Sequence, residues 1–105
     1  MSYDREEIRL QILLILAVQP AYTANQVHLG RQLALHGYSI PRDTLIVELA
    51  WLEEMAEAIV DRDVDGVHIA TLSDDGAEHL TGTRIIPKIR RPSPGEIAQC
   101  QPLLK

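Results

Sequence analysis

Apolar residues recur at three- and four-residue steps from the start of the chain, which is the spacing of an amphipathic helix. A first helix is predicted from Asp4, an N-cap with Glu7 three residues later as in a capping box, to about Gln19. One face of this helix carries Ile8, Ile12, Ile15 and Leu16, and the other faces carry Leu10, Leu13, Leu14 and Ala17. A helix that is apolar nearly all round is either central in its own fold or shared with a partner chain.

Two further helices follow after Pro20. Thr23 or Asn25 can cap the second helix, and Gly37 suits the position just after its end. Ser39 or Pro41 can open the third helix. The apolar stripe of the second helix is Val27, Leu29, Leu33 and Leu35, and the inward stripe of the third is Leu45, Leu49, Leu52 and Ala56. Both patterns predict helices that bury one face.

The pattern then changes to β-branched runs, "AIVDRD" and "GVHIATL", separated by Asp63 to Gly66. These runs predict a hairpin in which Gly66 supplies a positive φ. Ser73 can cap a short fourth helix that ends at Gly82. The chain after it contains Pro87, Pro92, Pro94 and Pro102, which exclude regular helix until the last few residues. An extended C-terminal arm is therefore predicted, with folding back on the body as the alternative.

Charge divides the chain at the same point. Residues 1–83 carry five arginines against fourteen acidic residues, a balance of −9. Residues 84–105 carry Arg84, Lys88, Arg90, Arg91 and Lys105 against Glu96, a balance of +4. We therefore predict one domain over 1–83 and a basic, proline-rich arm over 84–105. A phosphate backbone is repelled by the first surface and attracted by the second.

Composition and motif spacing exclude several classes of function. No apolar run reaches the length of a membrane span, so a soluble, cytoplasmic protein is expected. Cys100 is the single cysteine and has no histidine or acid at catalytic spacing. The four histidines lack metal-ligand spacing, and no nucleophile or phosphate-binding loop is evident. We therefore expect no enzyme activity, metal, cofactor or small-molecule substrate.

Three helices, a hairpin and a fourth helix, in that order, resemble a winged helix-turn-helix domain, which is mainly α with a small β-hairpin wing. "SIPRDTLIVELAWLEEMAEAIV" resembles the recognition helix and first wing strand of MarR-, PadR- and ArsR-type regulators, and "IATLSDDGAEHL" resembles the end of their wing. The resemblance covers about residues 4–82. The whole chain, including "RRPSPG", is similar to small uncharacterised proteins of Mu-like transposable phages.

The resemblance implies that the outward face of the third helix reads DNA bases and that the hairpin tip contacts phosphate. The positions that match this face are Arg42, Asp43, Thr44, Ile46, Val47, Ala50, Trp51 and Glu54. Only Arg42 and Thr44 offer the polar groups that base edges require. The hairpin tip "DRDVDG" departs from the family pattern because it is acidic. The candidate DNA-binding residues are Arg31, Arg42, Thr44, Arg62, Arg84, Lys88, Arg90 and Arg91.

The same third helix carries an apolar second face where a DNA reader would be polar. Exposing such a face is unfavourable by about 25 cal/mol per Å² of apolar area. It is therefore covered either by this chain's own arm or first helix, or by another chain. The candidate protein-interface residues are Leu10, Leu13, Leu14 and Ala17 in the first helix and Ile46, Val47, Ala50 and Trp51 in the third.

Three hypotheses about function follow. The first is a DNA-binding regulator or accessory protein that dimerises through its first helix and contacts double-stranded DNA. The second is a winged-helix module that binds another protein, or oligomerises, without binding DNA. The third is an inhibitor whose acidic body imitates DNA. A homodimer is expected because the first helix has more apolar positions than one core stripe uses.

Overall fold

The computed structural model describes residues 4–100, which form five helices and a three-stranded antiparallel sheet. The elements are α1 (Arg5–Ala17), β1 (Thr23–Asn25), α2 (Gln26–Leu35), α3 (Arg42–Glu54), β2 (Ile59–Val64), β3 (Val67–Leu72), α4 (Asp74–Thr81) and α5 (Pro94–Gln99). A short 3-10 turn, Pro20–Tyr22, precedes β1. The prediction of a mainly helical domain with a small sheet is therefore confirmed.

Helix α1 is the central element of the fold. The Asp4 carboxylate accepts a hydrogen bond from the Glu7 amide at 3.1 Å, as the predicted N-cap requires. Helices α2, α3 and α4 and strand β3 all pack against α1. Because the core surrounds this helix, Leu10 and Leu13 are fully buried within the single chain. The prediction that both residues meet a second copy is wrong, whereas Leu14 and Ala17 remain half-buried at the surface.

Strands β2 and β3 form the predicted hairpin. Val64 pairs with Val67, and Asp65 and Gly66 between them both have positive φ, of 54° and 82°. Two consecutive positive φ values are the requirement of the tight turn that matches strand twist. The sequence did not predict β1, which pairs with the other side of β3 to give the order β1-β3-β2. Its three residues are too few for a period-2 pattern.

Helices α2 and α3 lie close to their predicted bounds. The Asn25 side chain accepts from the His28 amide at 2.8 Å and caps α2. Gly37 follows the helix end with φ 91°. In α3 the predicted inward stripe is buried at Leu45, Leu49 and Leu52. Ala56 lies beyond the end of the helix and is half-buried.

Helix α4 is fixed closely against the start of the hairpin. Its N-cap Ser73 accepts from the Gly76 amide and donates to the Glu57 carbonyl, at 3.1 and 2.7 Å. A Cβ at Gly76 would lie 2.3 Å from the Ala58 carbonyl oxygen, so only glycine fits this approach. This packing presents the far side of α4 to the C-terminal part of the chain.

Residues 84–100, hereafter the C-terminal strap, pack on the body of the protein. Ile86, Ile89 and Cys100 are buried in the common core. The strap ends in α5, where Pro94 occupies the first turn and Ser93 forms a capping box with Glu96. The predicted extended arm is therefore wrong for the described residues. Prolines prevent a helix from 84 to 93 but do not prevent burial of the isoleucines between them; Pro102 and Lys105 lie outside the described residues.

Candidate functional site

A buried charge cluster joins α3 to α1. Glu48 is 0% exposed, and its two carboxylate oxygens accept from Arg5 Nε at 2.9 Å and Arg9 Nε at 2.7 Å. Arg9 is itself buried. A buried carboxylate is stable only when it is paired and hydrogen-bonded, so this pairing fixes the rotation of α3 against α1. Neither Glu48 nor Arg9 was predicted from the sequence as part of a site.

Arg9 also connects Trp51 with the strap. Its guanidinium carbon lies 3.7 Å from the centroid of the Trp51 ring, which is within the range of a cation–π contact. Its Nη1 donates to the Lys88 carbonyl at 2.9 Å. Trp51 is half-buried under contacts from its own chain. The first helix therefore covers part of the apolar face of α3, as one of the two alternatives predicted.

The rest of the apolar face of α3 is open to solvent in the single chain. Val47 is 55% exposed, and Ile46 and Ala50 are half-buried. Thr44 and Asp43 line a shallow depression of about 310 Å³ with Arg5 and Val47. Met55, at the C-cap of α3, is 72% exposed. This part of α3 thus places exposed apolar side chains beside Asp43 and Thr44.

The hairpin tip is acidic and lies beside the start of α3. Arg42 Nη2 donates to the Gly66 carbonyl at 3.3 Å, which brings helix and tip together. The Asp63 carboxylate accepts from the Gly66 amide at 2.9 Å, and Asp65 occupies the turn. Arg62, Asp63 and Asp65 are all exposed. The tip therefore carries one cation against two anions.

The outer face of the sheet also exposes apolar side chains. Successive strand residues point to opposite faces, so Val60, Arg62 and Val64 share the side turned away from the helices. Val67 of β3 lies on the same face, directly opposite Val64. Val60 is 52% exposed, and the other two valines are also exposed. This face, the hairpin tip and the open part of α3 are together called the α3–hairpin surface, with Val47, Met55, Val60, Val64, Val67, Arg42, Asp43, Glu54, Arg62, Asp63 and Asp65 as its exposed members.

Two of the candidate DNA-binding residues are held in ion pairs. Arg84 contacts Glu78 at 2.9 Å and Asp75 at 3.6 Å, and these contacts raise its pKa. Arg90 Nη2 donates to Glu7 at 3.0 Å and to Glu96 at 2.9 Å. Hydrogen bonds to Glu7 and Glu96 raise the pKa of Arg90, and the bond from Arg90 lowers the pKa of Glu96. Their positive charges are therefore partly neutralised within the chain.

Four other basic candidates are exposed. Arg31 lies on α2, Arg62 on β2, and Lys88 and Arg91 on the strap. Their side chains make no hydrogen bond or ion pair with any residue from 4 to 100. They occur on three different elements of the fold.

The remaining ionisable groups do not form a reactive cluster. Burial raises the pKa of the Cys100 thiol above its ordinary value. Across residues 4–100, no group of three His, Cys, Asp or Glu side chains is placed to hold a metal ion. Nor does this part of the chain contain a helix long and apolar enough to cross a membrane.

Comparisons with known proteins add one relative. An uncharacterized protein of Haemophilus influenzae is 32% identical to this chain over 68 residues. The matched region covers 65% of this chain and 66% of the relative, slightly less than two thirds of its length. No protein-family model matches the chain. No solved structure matches it either.

Proposed function

We propose that this chain is a protein-interaction module with a winged-helix arrangement, in which the α3–hairpin surface binds a partner protein. Helices α1 to α3, the β2–β3 hairpin and α4 occur in the order of that fold. The observation that carries the proposal is the composition of the α3–hairpin surface, where exposed valines and acids stand at positions that bind bases and phosphates in DNA-binding relatives of the fold.

Electrostatics weigh against DNA at this surface. Its exposed charges are two cations, Arg42 and Arg62, and four anions, Asp43, Glu54, Asp63 and Asp65. A phosphate backbone is repelled by such a balance. Arg42, the matched groove-contacting residue, donates instead to the hairpin tip. The acidic balance favours a partner with positive charge, a class that includes nucleic-acid-binding proteins.

Exposed apolar side chains support a protein partner directly. Val47 and Met55 of the α3 end of the surface and Val60 of the sheet face are each more than half exposed. Interfaces bury such groups at their centre and keep charged groups at the rim. In the proposed complex, the valines contact the partner protein, and the surrounding carboxylates orient it.

DNA binding remains the second candidate because of one specific observation. Arg31, Arg62, Lys88 and Arg91 are exposed and unpaired within residues 4–100. Four phosphate contacts would give binding a slope of about −4 against the logarithm of salt concentration. Direct binding to DNA with a slope of this size would therefore identify this alternative.

The first prediction tests the surface with a matched pair of variants. Val47→Asp places a charge on the α3 part of the α3–hairpin surface, and Val27→Asp places the same charge at a similarly exposed position on α2. We expect a partner purified by affinity to the wild-type chain to bind Val27→Asp normally and Val47→Asp at least tenfold more weakly. Calorimetry with the purified pair measures the difference.

Fluorescence anisotropy with labelled double-stranded DNA provides the opposing measurement. If the α3–hairpin surface binds protein, we expect no DNA binding at micromolar protein concentration in low salt. We also expect Arg42→Ala to leave this result unchanged. Tight, salt-steep binding that Arg42→Ala weakens by about 1–3 kcal/mol would show instead that α3 reads DNA. Equal partner affinity for both aspartate variants would also contradict the proposal.

A further inference from the structure

His79 joins α4 to the strap through both of its ring nitrogens. The side chain is 1% exposed. Nδ1 accepts from the Ile86 amide at 3.0 Å, and Nε2 lies 3.0 Å from the Arg90 carbonyl oxygen. The ring therefore holds two points of the strap that are four residues apart.

These two bonds fix the protonation state of the ring. A backbone amide can only donate, so Nδ1 must present its lone pair to Ile86. A carbonyl oxygen can only accept, so Nε2 must carry the proton that bonds Arg90. The neutral Nε2–H form satisfies both partners. A second proton, on Nδ1, would remove the acceptor and direct a donor at the Ile86 amide.

The other bonds that hold the strap do not change near neutral pH. Arg90 N donates to the Glu6 carbonyl at 3.2 Å, and Arg9 donates to the Lys88 carbonyl. The guanidinium of Arg90 pairs with Glu7 and Glu96. Arginine keeps its charge throughout this range, and carboxylates ordinarily titrate near pH 4. Among these contacts, only His79 belongs to a residue type whose ordinary pKa lies near neutrality.

We infer that His79 is a proton-controlled latch, which holds residues 84–93 of the strap on α4 when its ring is neutral and releases them when the ring becomes doubly protonated. The latch determines how the strap is attached and does not depend on which partner the α3–hairpin surface binds.

The charges around the ring favour the same direction. Arg84 and Arg91 of the strap line a cavity of about 100 Å³ beside His79. Glu6 of α1 and Asp74 of α4 are exposed to solvent. The other acids on the packed elements each contact an arginine of the strap, and they are Glu78 and Asp75 of α4, Glu7 of α1 and Glu96 of α5. These carboxylates are thus engaged by other cations. An added charge on the ring would lack a free counter-ion among them.

Burial lowers the pKa of His79, and the charge of Arg91 acts in the same direction, while the bond to the Arg90 carbonyl partly opposes both. The closed form therefore holds the second proton less tightly than the open form does. The contribution of the latch to stability is complete above the ordinary pKa of about 6.5. It is lost as the pH falls toward the lowered pKa of the closed form.

Release of the strap would also affect α3. The Lys88 carbonyl, between the two latched points, accepts from Arg9, and Arg9 stacks on Trp51 and pairs with Glu48. Detachment of the strap would remove one of the contacts that orient Arg9. The state of His79 is thus coupled through one side chain to the covered part of the α3 face.

Hydrogen exchange followed by NMR tests the latch in the full chain. The reporters are the Ile86 and Arg90 amides, with the Leu49 amide in α3 as the reference. Below about pH 6.5, we expect the protection of both reporters, corrected for intrinsic rates, to fall by roughly tenfold per pH unit while one proton is taken up on opening. Leu49, in the core, should remain better protected than both reporters at every pH, because the strap opens without unfolding the core. If the protection of the Ile86 and Arg90 amides does not change with pH, the inference is overturned.

Two variants separate His79 from the other histidines. His79→Asn offers an oxygen to the Ile86 amide but does not titrate near neutrality, so its exchange profile should be flat. His36→Gln changes an exposed ring at the C-cap of α2 and should keep the wild-type slope. A His79→Asn profile that matches the wild type would overturn the latch.

If His79→Asn does not fold, the ¹⁵N shifts of the wild-type ring decide the question. We expect an unprotonated Nδ1 and a protonated Nε2 at pH 7.5. The ring should then gain its second proton over the same pH interval in which the strap amides lose protection. A ring that titrates while those amides stay protected would show that His79 does not hold the strap.

Discussion

At the scale of single residues, the cluster around Glu48 shows what the sequence can and cannot predict. The inward positions Leu45, Leu49 and Leu52 can be recognised in the sequence because leucine recurs there at three- and four-residue steps, the spacing of one helix face. Glu48 lies between these leucines, and nothing in the neighbouring sequence indicates that its carboxylate is buried. Its partner Arg9 is 39 residues away, so the pairing depends on how α1 crosses α3. The same holds for His79 and the strap backbone.

Glu48→Ala should destabilise the protein strongly. The change leaves the buried Arg9 without its carboxylate, and an unpaired buried charge costs about 3–5 kcal/mol. Urea unfolding followed by circular dichroism measures the loss. Glu54→Ala, at an exposed position on the same helix, is the control and should change stability by less than about 0.5 kcal/mol. Similar midpoints for both variants would contradict the role given to the cluster.

At the scale of elements, caps and turns were predicted more reliably than packing. Asp4, Asn25 and Ser73 cap helices where expected, because a cap is a local hydrogen bond within four residues. The sequence missed β1 and α5, which are three and six residues long. The strap was predicted to lie outside the fold because its net charge and its prolines indicate an exposed, non-helical segment. Neither property indicates that two of its isoleucines are buried.

Ile89→Ala and Ile85→Ala test whether the strap belongs to the core. Ile89 is buried, so its truncation should cost about 2–5 kcal/mol. Ile85 is mostly exposed, so the same change there should cost less than about 0.5 kcal/mol. Thermal and urea unfolding compare the two variants. Equal, small losses would mean that the strap contributes little to the fold.

At the scale of the whole molecule, the homodimer remains a prediction. The core uses Leu10 and Leu13, but Leu14 and Ala17 stay half-buried, and Val18 beside them is 79% exposed. Leu35, at the end of α2, is also largely exposed.

The predicted DNA-binding residues divide into a paired and an exposed group, since Arg84 and Arg90 are paired internally and Arg31 is exposed. Residue type alone could not separate these groups, because ion pairing depends on the folded contacts.

We propose that a second copy packs on Leu14, Ala17 and Val18. Sedimentation at micromolar concentration should then give twice the chain mass of 11.7 kDa. Val18→Glu should shift the equilibrium to the monomer without unfolding it, because Val18 lies outside the core. A monomer for the wild-type chain at these concentrations would exclude this dimer.

The contact between Arg9 and Trp51 has an optical consequence. Trp51 is the only tryptophan in the chain, so intrinsic indole emission originates from a single site. A guanidinium lies 3.7 Å from its ring centroid, and that guanidinium is oriented by the Glu48 carboxylate and the Lys88 carbonyl. Indole emission responds to nearby charge and to water, so its wavelength and intensity follow the placement of Arg9. The protein therefore contains its own fluorescent reporter at the point where α1, α3 and the strap meet, and no extrinsic label is needed there.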